Sequence, residues 1–406
     1  MRFLLLNQFY PPDVAPTGKY LHDLARVLSQ RGHEVKVLCS RRSYDGTKSF
    51  LRREILEGVE IKRLPATGFG RKGFVGKVMD YVSFYVTLFN TLMFERKRPD
   101  VILSLTTPPY IGLLGKLAAR RHGCRHAHWV MDLYPDVMLA HGMARKEGAL
   151  IQFLRRLTRY QLRGADSILA LGPNMAEKVS NYESKEGSAR PVSWVPLWSD
   201  PNLTGLPAEK SNPLRDERGW NADTTVFLYS GNMGLGHRFG EFLEAAKRLN
   251  GSGPQWVFAG GGKRKSEIEA FARSNPGAAI QILDYAPQDA LCAHLCAADV
   301  HLVSLDSSWA GLMVPSKLQG SFAVGRPVIY VGGRQCETAA WISESGGGWV
   351  VDEGDVDGLL GAIQQALNAG ERRKRGKAAQ EFAREHFQLA KSCLRIVQLL
   401  EGQAAK

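Results

Sequence analysis

Four loops in this chain bring glycine or a cation to a strand end or the start of a helix, which is where proteins hold phosphate. In FLYSGNMGLGHRFGEF, residues 227–242, Gly231, Gly234 and Gly236 separate a strand-like run from a helix-like one. Backbone approaches an anion closely at glycine, and free N–H groups at a helix N-terminus attract negative charge. Gly260-Gly261-Gly262-Lys263-Arg264 ends the next strand and sets two cations beside flexible backbone. In SSWAGLMVPSKLQGSFAVGRPVIYVGG, residues 307–333, Pro315 and Ser316 suit a helix start and leave Lys317 in the first turn. A cation there opposes the helix dipole unless an anion is bound, so Lys317 is the leading phosphate ligand. The loop NQFYPPDVAPTGKY, residues 7–20, lacks the G-x-G-x-x-G of a dinucleotide site but closes on Thr17-Gly18 at a helix N-terminus. Gly18 reads equally as a phosphate contact and as a turn glycine.

Carboxylates offer a second kind of chemistry. Asp132 and Asp136 flank the turn Asp-Leu-Tyr-Pro-Asp after the strand-like Ala127–Met131. Contact with a ligand and ordering of the turn through backbone hydrogen bonds are both open. Asp355-Val-Asp357 has a spacing that holds a divalent ion in another transferase fold. Here the pair opens a helix bearing Leu359, Leu360 and Ile363, so helix capping is the preferred reading. Cys292-Ala-His294-Leu-Cys296 lacks the further ligands that structural zinc needs. His126 and His128 alternate on a strand as packed residues. No metal is expected.

Short apolar runs alternating with amphipathic helices must position these groups. Arg2–Leu6 reads as a strand, then Leu21, Leu24, Ala25 and Leu28 share one helix face. Gly32 ends that helix before Glu34–Cys39. The pattern pauses at the Pro-rich, charged stretch 197–220 and restarts at Val226–Tyr229. Two doubly wound α/β domains follow, residues 1–196 and 221–385, facing a central cleft at the carboxyl ends of their sheets. Residues 197–220 form the expected linker and 386–406 a terminal helix. The 406 residues, 44% hydrophobic, are ordinary for a packed protein, which excludes disordered and coiled-coil classes. No run is apolar enough for a membrane span, and the start MRFLLLNQFYPP is not a signal peptide. The six scattered cysteines fit a reduced, cytoplasmic chain.

The Pro-Pro-Asp loop ending in Thr-Gly, RGHEVKVL, DLYPD, YSGNMG, VPSKLQGSFAVGRPV and GDVDGLLGAI together resemble retaining glycosyltransferases of family 4. Within them the likeness is to the branch building bacterial capsule, O-antigen and exopolysaccharide. The resemblance implies the GT-B fold, with acceptor on the first domain, sugar nucleotide on the second, and the helix at 386–402 crossing back. It also implies retention of anomeric configuration. Two family glutamates fall here on Leu312 and Gly320, and neither is acidic. Asn232 and approximately His237 stand where the phosphate loop usually has Arg and Lys. Lys317, with Ser316 and Arg326 nearby in sequence, then supplies the missing phosphate contacts. Glu337 takes a ribose or sugar hydroxyl, or is simply a first-turn helix acid. Asp13, Asp132 or Asp136 orients the acceptor. The expected substrate is a nucleoside-diphosphate sugar, with no cofactor. An epimerase of the same fold and a basic nucleic-acid binder are the rivals, the second without any recognised motif.

Charge adds a partner. The net +13 falls entirely in residues 1–200, where 31 Lys/Arg outnumber 18 Asp/Glu. Lys62, Arg63, Arg71, Lys72 and Lys77 surround Phe69 and Phe74, ahead of aromatic-rich Tyr81–Phe94. Cations beside aromatics suit an anionic membrane surface and a lipid-linked saccharide acceptor, so the protein is expected to be peripheral on the cytoplasmic face. For Tyr81–Phe94 alone, a buried core helix is the preferred reading.

Overall fold

Apolar runs that are buried on both sides become parallel strands, and amphipathic stretches cover them. The computed structural model describes residues 1–13, 15–44, 46–69, 74–142, 148–183, 192–203 and 212–402. The chain forms two units. Unit 1 is Met1–Pro196 with Ala390–Lys406, and unit 2 is Leu197–Leu389.

Unit 1 contains β1 (Arg2–Leu6), β2 (Glu34–Ser40), β3 (Arg53–Leu56), β4 (Val59–Leu64), β5 (Val101–Ser104), β6 (Arg125–Trp129), β7 (Ser167–Ala170) and β8 (Val192–Trp194). They lie in the order β3-β4-β2-β1-β5-β6-β7-β8, with β3 antiparallel to β4 and the other pairs parallel. Its helices are α1 (Pro16–Gln30), α2 (Phe74–Met93), α3 (Ile111–His122), α4 (Asp136–Ala140), α5 (Ala149–Leu162) and α6 (Pro173–Glu183). In α1 the buried face is Leu21, Leu24, Ala25 and Leu28, as its spacing predicts. Helices α2, α3, α5 and α6 pack in sequence as one layer. Phe84, Leu88 and Leu92 of α2 close a core with Leu4, Leu6, Leu38 and Ile102 of the sheet. Right-handed crossovers put α1 on the opposite face, because its connection runs the other way along the sheet.

Unit 2 contains β9 (Val226–Ser230), β10 (Gln255–Ala259), β11 (Ile280–Leu283), β12 (Val300–Leu305), β13 (Val328–Gly332) and β14 (Gly348–Val351), all parallel, in the order β11-β10-β9-β12-β13-β14. Its helices are α7 (Pro213–Arg218), α8 (Gly240–Leu249), α9 (Lys265–Ser274), α10 (Leu291–Cys296), α11 (Lys317–Ala323), α12 (Glu337–Ser345), α13 (Val356–Leu367) and α14 (Ala369–His386). The last helix, α15 (Leu389–Glu401), returns to unit 1. Its Glu401 carboxylate meets His33 at 2.9 Å, and Arg125 donates to the Leu400 carbonyl. Strand order reverses beside β1 and again beside β9. Each reversal opens a crevice at the carboxyl ends, β1/β5 in unit 1 and β9/β12 in unit 2.

Two sequence expectations change. The stretch 197–220 is not a free linker. Asn212 caps α7, Arg215 donates to the Ala297 carbonyl and to Asp299 at 2.9 and 3.0 Å, and Trp220 is buried. Residues 204–211 lie outside the described residues. The basic segment 62–77 is not uniformly open either. Arg63 is buried under the Phe50 ring and paired with Glu54 at 2.6 Å, so it cannot meet a membrane. Arg71 and Lys72 lie outside the described residues, as do the side chains of Phe74 and Lys77. Phe69 is exposed. Short strands β3 and β8 carry no strong period and were not expected.

Candidate functional site

In unit 2 the loops at the β9/β12 crevice converge on Lys317. Gly231 leaves β9 with φ +131°, and a Cβ there would stand 3.1 Å from Lys317 Cε, so the lysine lies directly across this glycine. Gly262, also at positive φ, lets the second glycine loop press against Met233 and Asn232. Met233 N donates to the Gly261 carbonyl at 2.6 Å and Arg264 N to the Met233 carbonyl at 3.0 Å, locking the two loops together. Gly236 packs on the Trp309 ring, where a Cβ would come to 2.9 Å.

Lys317 is the first residue of α11, after Ser316, which is exposed and makes no capping hydrogen bond. Its Nζ is 4.9 Å from the centre of the Tyr229 ring and 3.1 Å from His237 Nε2. His237 Nδ1 is 2.6 Å from the Ser304 carbonyl. A carbonyl only accepts, so Nδ1 carries the proton and Nε2 accepts from the ammonium. Burial and the neighbouring Lys317 hold the His237 pKa down at about 3, which preserves that tautomer. Burial lowers the Lys317 pKa to about 7. Other cations nearby are already neutralised. Arg238 meets Glu241 at 2.6 Å, Glu353 at 2.7 Å and Asp306 at 3.5 Å, and Arg264 pairs with Glu267 at 2.8 Å. Among the described residues no carboxylate pairs with Lys317. A half-buried cation without a carboxylate partner among the described residues, facing glycine backbone, is arranged to receive an anion.

The other donor expectations fall in different places. Asn232 sits between Gly234 and Gly262 beside this cluster, and its carbonyl accepts from Tyr229 Oη at 2.9 Å. Glu337 is buried as the first residue of α12, at the carboxyl end of β13. Arg326 does not join them. It precedes β13, at the amino edge of the sheet, and donates to the Cys296 carbonyl at 2.9 Å. Thr17 and Gly18 belong to unit 1. Thr17 Oγ1 accepts from Asn7 at 3.3 Å, and Gly18 N donates to the Ala15 carbonyl at 3.0 Å. Gly18 is required by the chain's own fold, since a Cβ would stand 2.9 Å from the Phe9 carbonyl oxygen. Leu312 is buried, and Gly320 faces Leu295 and Leu203, so neither position holds an acid.

In unit 1 the three expected aspartates separate by role. Asp136 opens α4 and is engaged on both oxygens, Oδ1 by Arg155 at 3.2 Å and Oδ2 by the Tyr182 hydroxyl. Asp13 accepts from Tyr44 N at 2.8 Å and ties the loops after β1 and β2. Asp132, after β6, keeps partial exposure, and its carboxylate accepts from none of the described residues. The surrounding protein pushes its pKa up to about 6. Only Asp132 remains available as a base or an orienting acceptor. Tyr110, at φ +68° on the loop after β5, was not singled out from sequence; it stands 6.5 Å from Tyr134, ring to ring.

The two Asp-x-Asp carboxylates are occupied structurally. Asp355 accepts from Gly358 N at 2.8 Å, and Asp357 meets Arg248 at 2.8 Å. His294 of the Cys-x-His-x-Cys run lies 3.2 Å from Ser230 Oγ, and the described residues contain no cluster able to hold a metal.

Two doubly wound α/β units, one with glycine loops converging on Lys317 at its switch point, define a two-domain α/β protein. The comparisons name the class. Residues 17–198 match the Glycosyl transferase 4-like domain and residues 224–369 match Glycosyl transferases group 1, so the chain belongs to the GT-B glycosyltransferases. It is 27% identical over 383 residues to a protein of Escherichia coli K12 named as the colanic acid biosynthesis glycosyl transferase WcaI, covering 90% of this chain and 92% of that one. It is 25% identical to the Pseudomonas aeruginosa glycosyltransferase WbjE over 70% of each chain. Among solved structures it resembles sucrose-phosphate synthase of Thermosynechococcus elongatus with a TM-score of 0.78 at 18% identity, covering 99% of this chain and 98% of that one. It also resembles Anabaena HepE in complex with UDP-glucose, with a TM-score of 0.70 at 12% identity, covering 99% and 100%.

Proposed function

We propose that the chain moves a glycosyl unit from a nucleoside-diphosphate sugar to a saccharide or lipid-linked saccharide during assembly of a cell-surface polysaccharide. One observation carries the donor half: Lys317 is partly buried, unpaired with any described carboxylate and aimed across Gly231. As the glycosidic bond breaks, the leaving pyrophosphate gains negative charge, and a pre-organised cation with glycine backbone stabilises it. HepE is solved with UDP-glucose, which makes UDP-sugars the first donors to test. WcaI, named for colanic acid biosynthesis, supports the polysaccharide context.

Asp132, with its pKa near 6, accepts the proton of the attacking hydroxyl or orients that hydroxyl. The reaction proceeds with retention by attack on the face the leaving phosphate vacates. The departing phosphate assists, since the sequence places no carboxylate as an evident nucleophile. No metal or cofactor is used. The protein works in the cytoplasm, peripheral on an anionic membrane surface, and does not bind nucleic acid.

A panel of nucleotide sugars screened by thermal stabilisation tests the donor. One UDP-sugar should raise the melting temperature of the wild type and not of Lys317→Met. Equal stabilisation of both would remove Lys317 from the site. The relatives, named as transferases, give the epimerase alternative no support. Donor turnover without any acceptor would restore it.

A further inference from the structure

Helix α2 carries apolar residues on two sides, yet only one of those sides is covered. Phe84, Leu88 and Leu92 face the core, while Val75, Met79, Val82, Val86 and Phe89 are exposed at intervals of three to four residues. That row spans roughly 20 Å at 1.5 Å per residue. A contiguous apolar row left exposed on a helix marks an interaction surface, so the row lacks a partner among the described residues.

The layer continues the surface. α2 packs on α3, and α3 packs on α5. α3 exposes Leu117, Arg120 and Arg121. α5 exposes Phe153, Arg156 and Tyr160 on one stripe that ends at Arg163. Neither α3 nor α5 contains an acidic residue. The single carboxylate of α2, Asp80, is turned inward, accepting from Thr67 Oγ1 at 2.7 Å and Phe69 N at 3.1 Å. Beyond the C-terminal end of α2, Arg96 is exposed.

We infer that the outer face of α2, α3 and α5 rests on an anionic lipid leaflet. This deepens the lipid-linked acceptor reading and depends on it for its biological sense. Apolar side chains enter the acyl boundary while the arginines and Tyr160 remain among head groups. Charge selects the occupant, because a second copy of this face would bring cations against cations with no described acid to answer them. No described helix is long and apolar enough to cross a membrane, so contact is in the plane of the interface. The inner side of α2 explains why this helix docks. Asp80 and Tyr81 line an open pocket with Gln8, Ser40 and Thr67, beyond the carboxyl ends of β1, β2 and β4. A saccharide head group enters that pocket while its lipid stays in the leaflet.

The test is co-sedimentation with phosphatidylcholine vesicles, with and without phosphatidylglycerol. Wild type should bind only the anionic vesicles and release as salt rises. Val82→Asp with Val86→Asp should weaken binding at least ~10-fold, as should Arg156→Glu with Arg163→Glu. Both variants should keep wild-type melting and wild-type transfer to a soluble acceptor analogue. A milder Val82→Ser with Val86→Ser pair covers the case in which aspartate prevents folding. Equal binding to neutral vesicles, no binding to either, or no loss in any variant overturns the docking face. A lipid-free dimer broken by Val82→Ser with Val86→Ser makes a second copy the occupant and also overturns it. If the wild type binds anionic vesicles yet glycosylates only soluble acceptors, docking stands and the lipid-linked acceptor fails. If it glycosylates a lipid-linked acceptor in detergent yet ignores vesicles, the transferase reading stands and docking fails.

Discussion

The carboxyl edges of the two sheets solve opposite electrostatic problems. In unit 2 the loops are glycine turns, the cations Arg238 and Arg264 are matched by carboxylates, and the half-buried Lys317 is matched by no described carboxylate. In unit 1 the loops are rich in proline, Asp136 and Asp13 are tied into the fold, and Asp132 alone accepts from no described residue. Each edge therefore neutralises its neighbours and reserves one group, whose pKa burial drives toward the neutral form. An unmatched buried charge is costly, so folding alone does not explain its retention. The contrast assigns anion binding to the lysine edge and proton or hydroxyl handling to the aspartate edge.

Removing the lysine should break this comparison most sharply. Lys317→Met should lower kcat/KM for transfer by roughly 10²–10³-fold, the scale of losing one group that stabilises developing negative charge. Its melting temperature should not fall, because the change removes a partly buried cation that has no carboxylate partner among the described residues. Kinetics and a thermal melt check both halves. A variant that loses stability but keeps donor affinity would make Lys317 a packing residue.

Asp132→Asn should follow, with transfer down roughly 10²-fold and donor affinity unchanged, if the group handles a proton. The pH profile then separates the two edges. Asp132 must be ionised to act, so kcat/KM should rise through about pH 6 and lose this limb in Asp132→Asn. Lys317 must be protonated to hold an anion, so donor binding should weaken above about pH 7. In the free protein the sign is the reverse. The Lys317 pKa is depressed from 10.5, so the unfolded chain binds more protons between pH 7 and 10.5, and the folding penalty of this lysine fades as pH rises. Donor-induced stabilisation that grows above pH 7 would contradict the assignment.

Lys317 and the glycine turns were legible because helix starts and strand ends are local signals. His237 was read as a donor-site residue standing where the family's phosphate-loop cation is missing, and in the structure it accepts from the Lys317 ammonium. Its anchor, the Ser304 carbonyl, lies on another strand, and no spacing rule reaches that far. The error over Arg326 was avoidable: a residue immediately before a parallel strand lies at the edge opposite the ligand loops. The stretch 197–220 looked like a linker because Arg215 finds Ala297 and Asp299 only after folding. The α/β alternation itself was plain. The outer face of α2 was not, since a helix with apolar residues on two sides gives no hint of which side remains uncovered.

Asp136→Asn should sharpen the contrast within unit 1. It breaks a partly buried pair with Arg155 and weakens the Tyr182 contact, so it should cost about 1 kcal/mol of stability. Transfer to a soluble acceptor should persist, measured at a temperature where the variant is folded. Loss of transfer with no change in melting would move Asp136 from scaffold to chemistry.

The smallest effect is expected from the acidic pair in unit 2. Asp355 caps α13, a role asparagine fills about as well, whereas Asp355→Ala should cost about 1 kcal/mol. Asp357 is exposed and meets only the surface Arg248, so its neutralisation should leave the melt unchanged. The double variant Asp355→Asn with Asp357→Asn should therefore match wild type in stability and in turnover, with EDTA present throughout. Such a result keeps the anion edge dependent on Lys317 and backbone. Activity abolished by EDTA and restored by manganese would give unit 2 a metal, and if the double variant removed the response, these two carboxylates would be its ligands. The lysine edge would then share charge neutralisation with an ion, and the Lys317→Met defect should shrink as manganese rises.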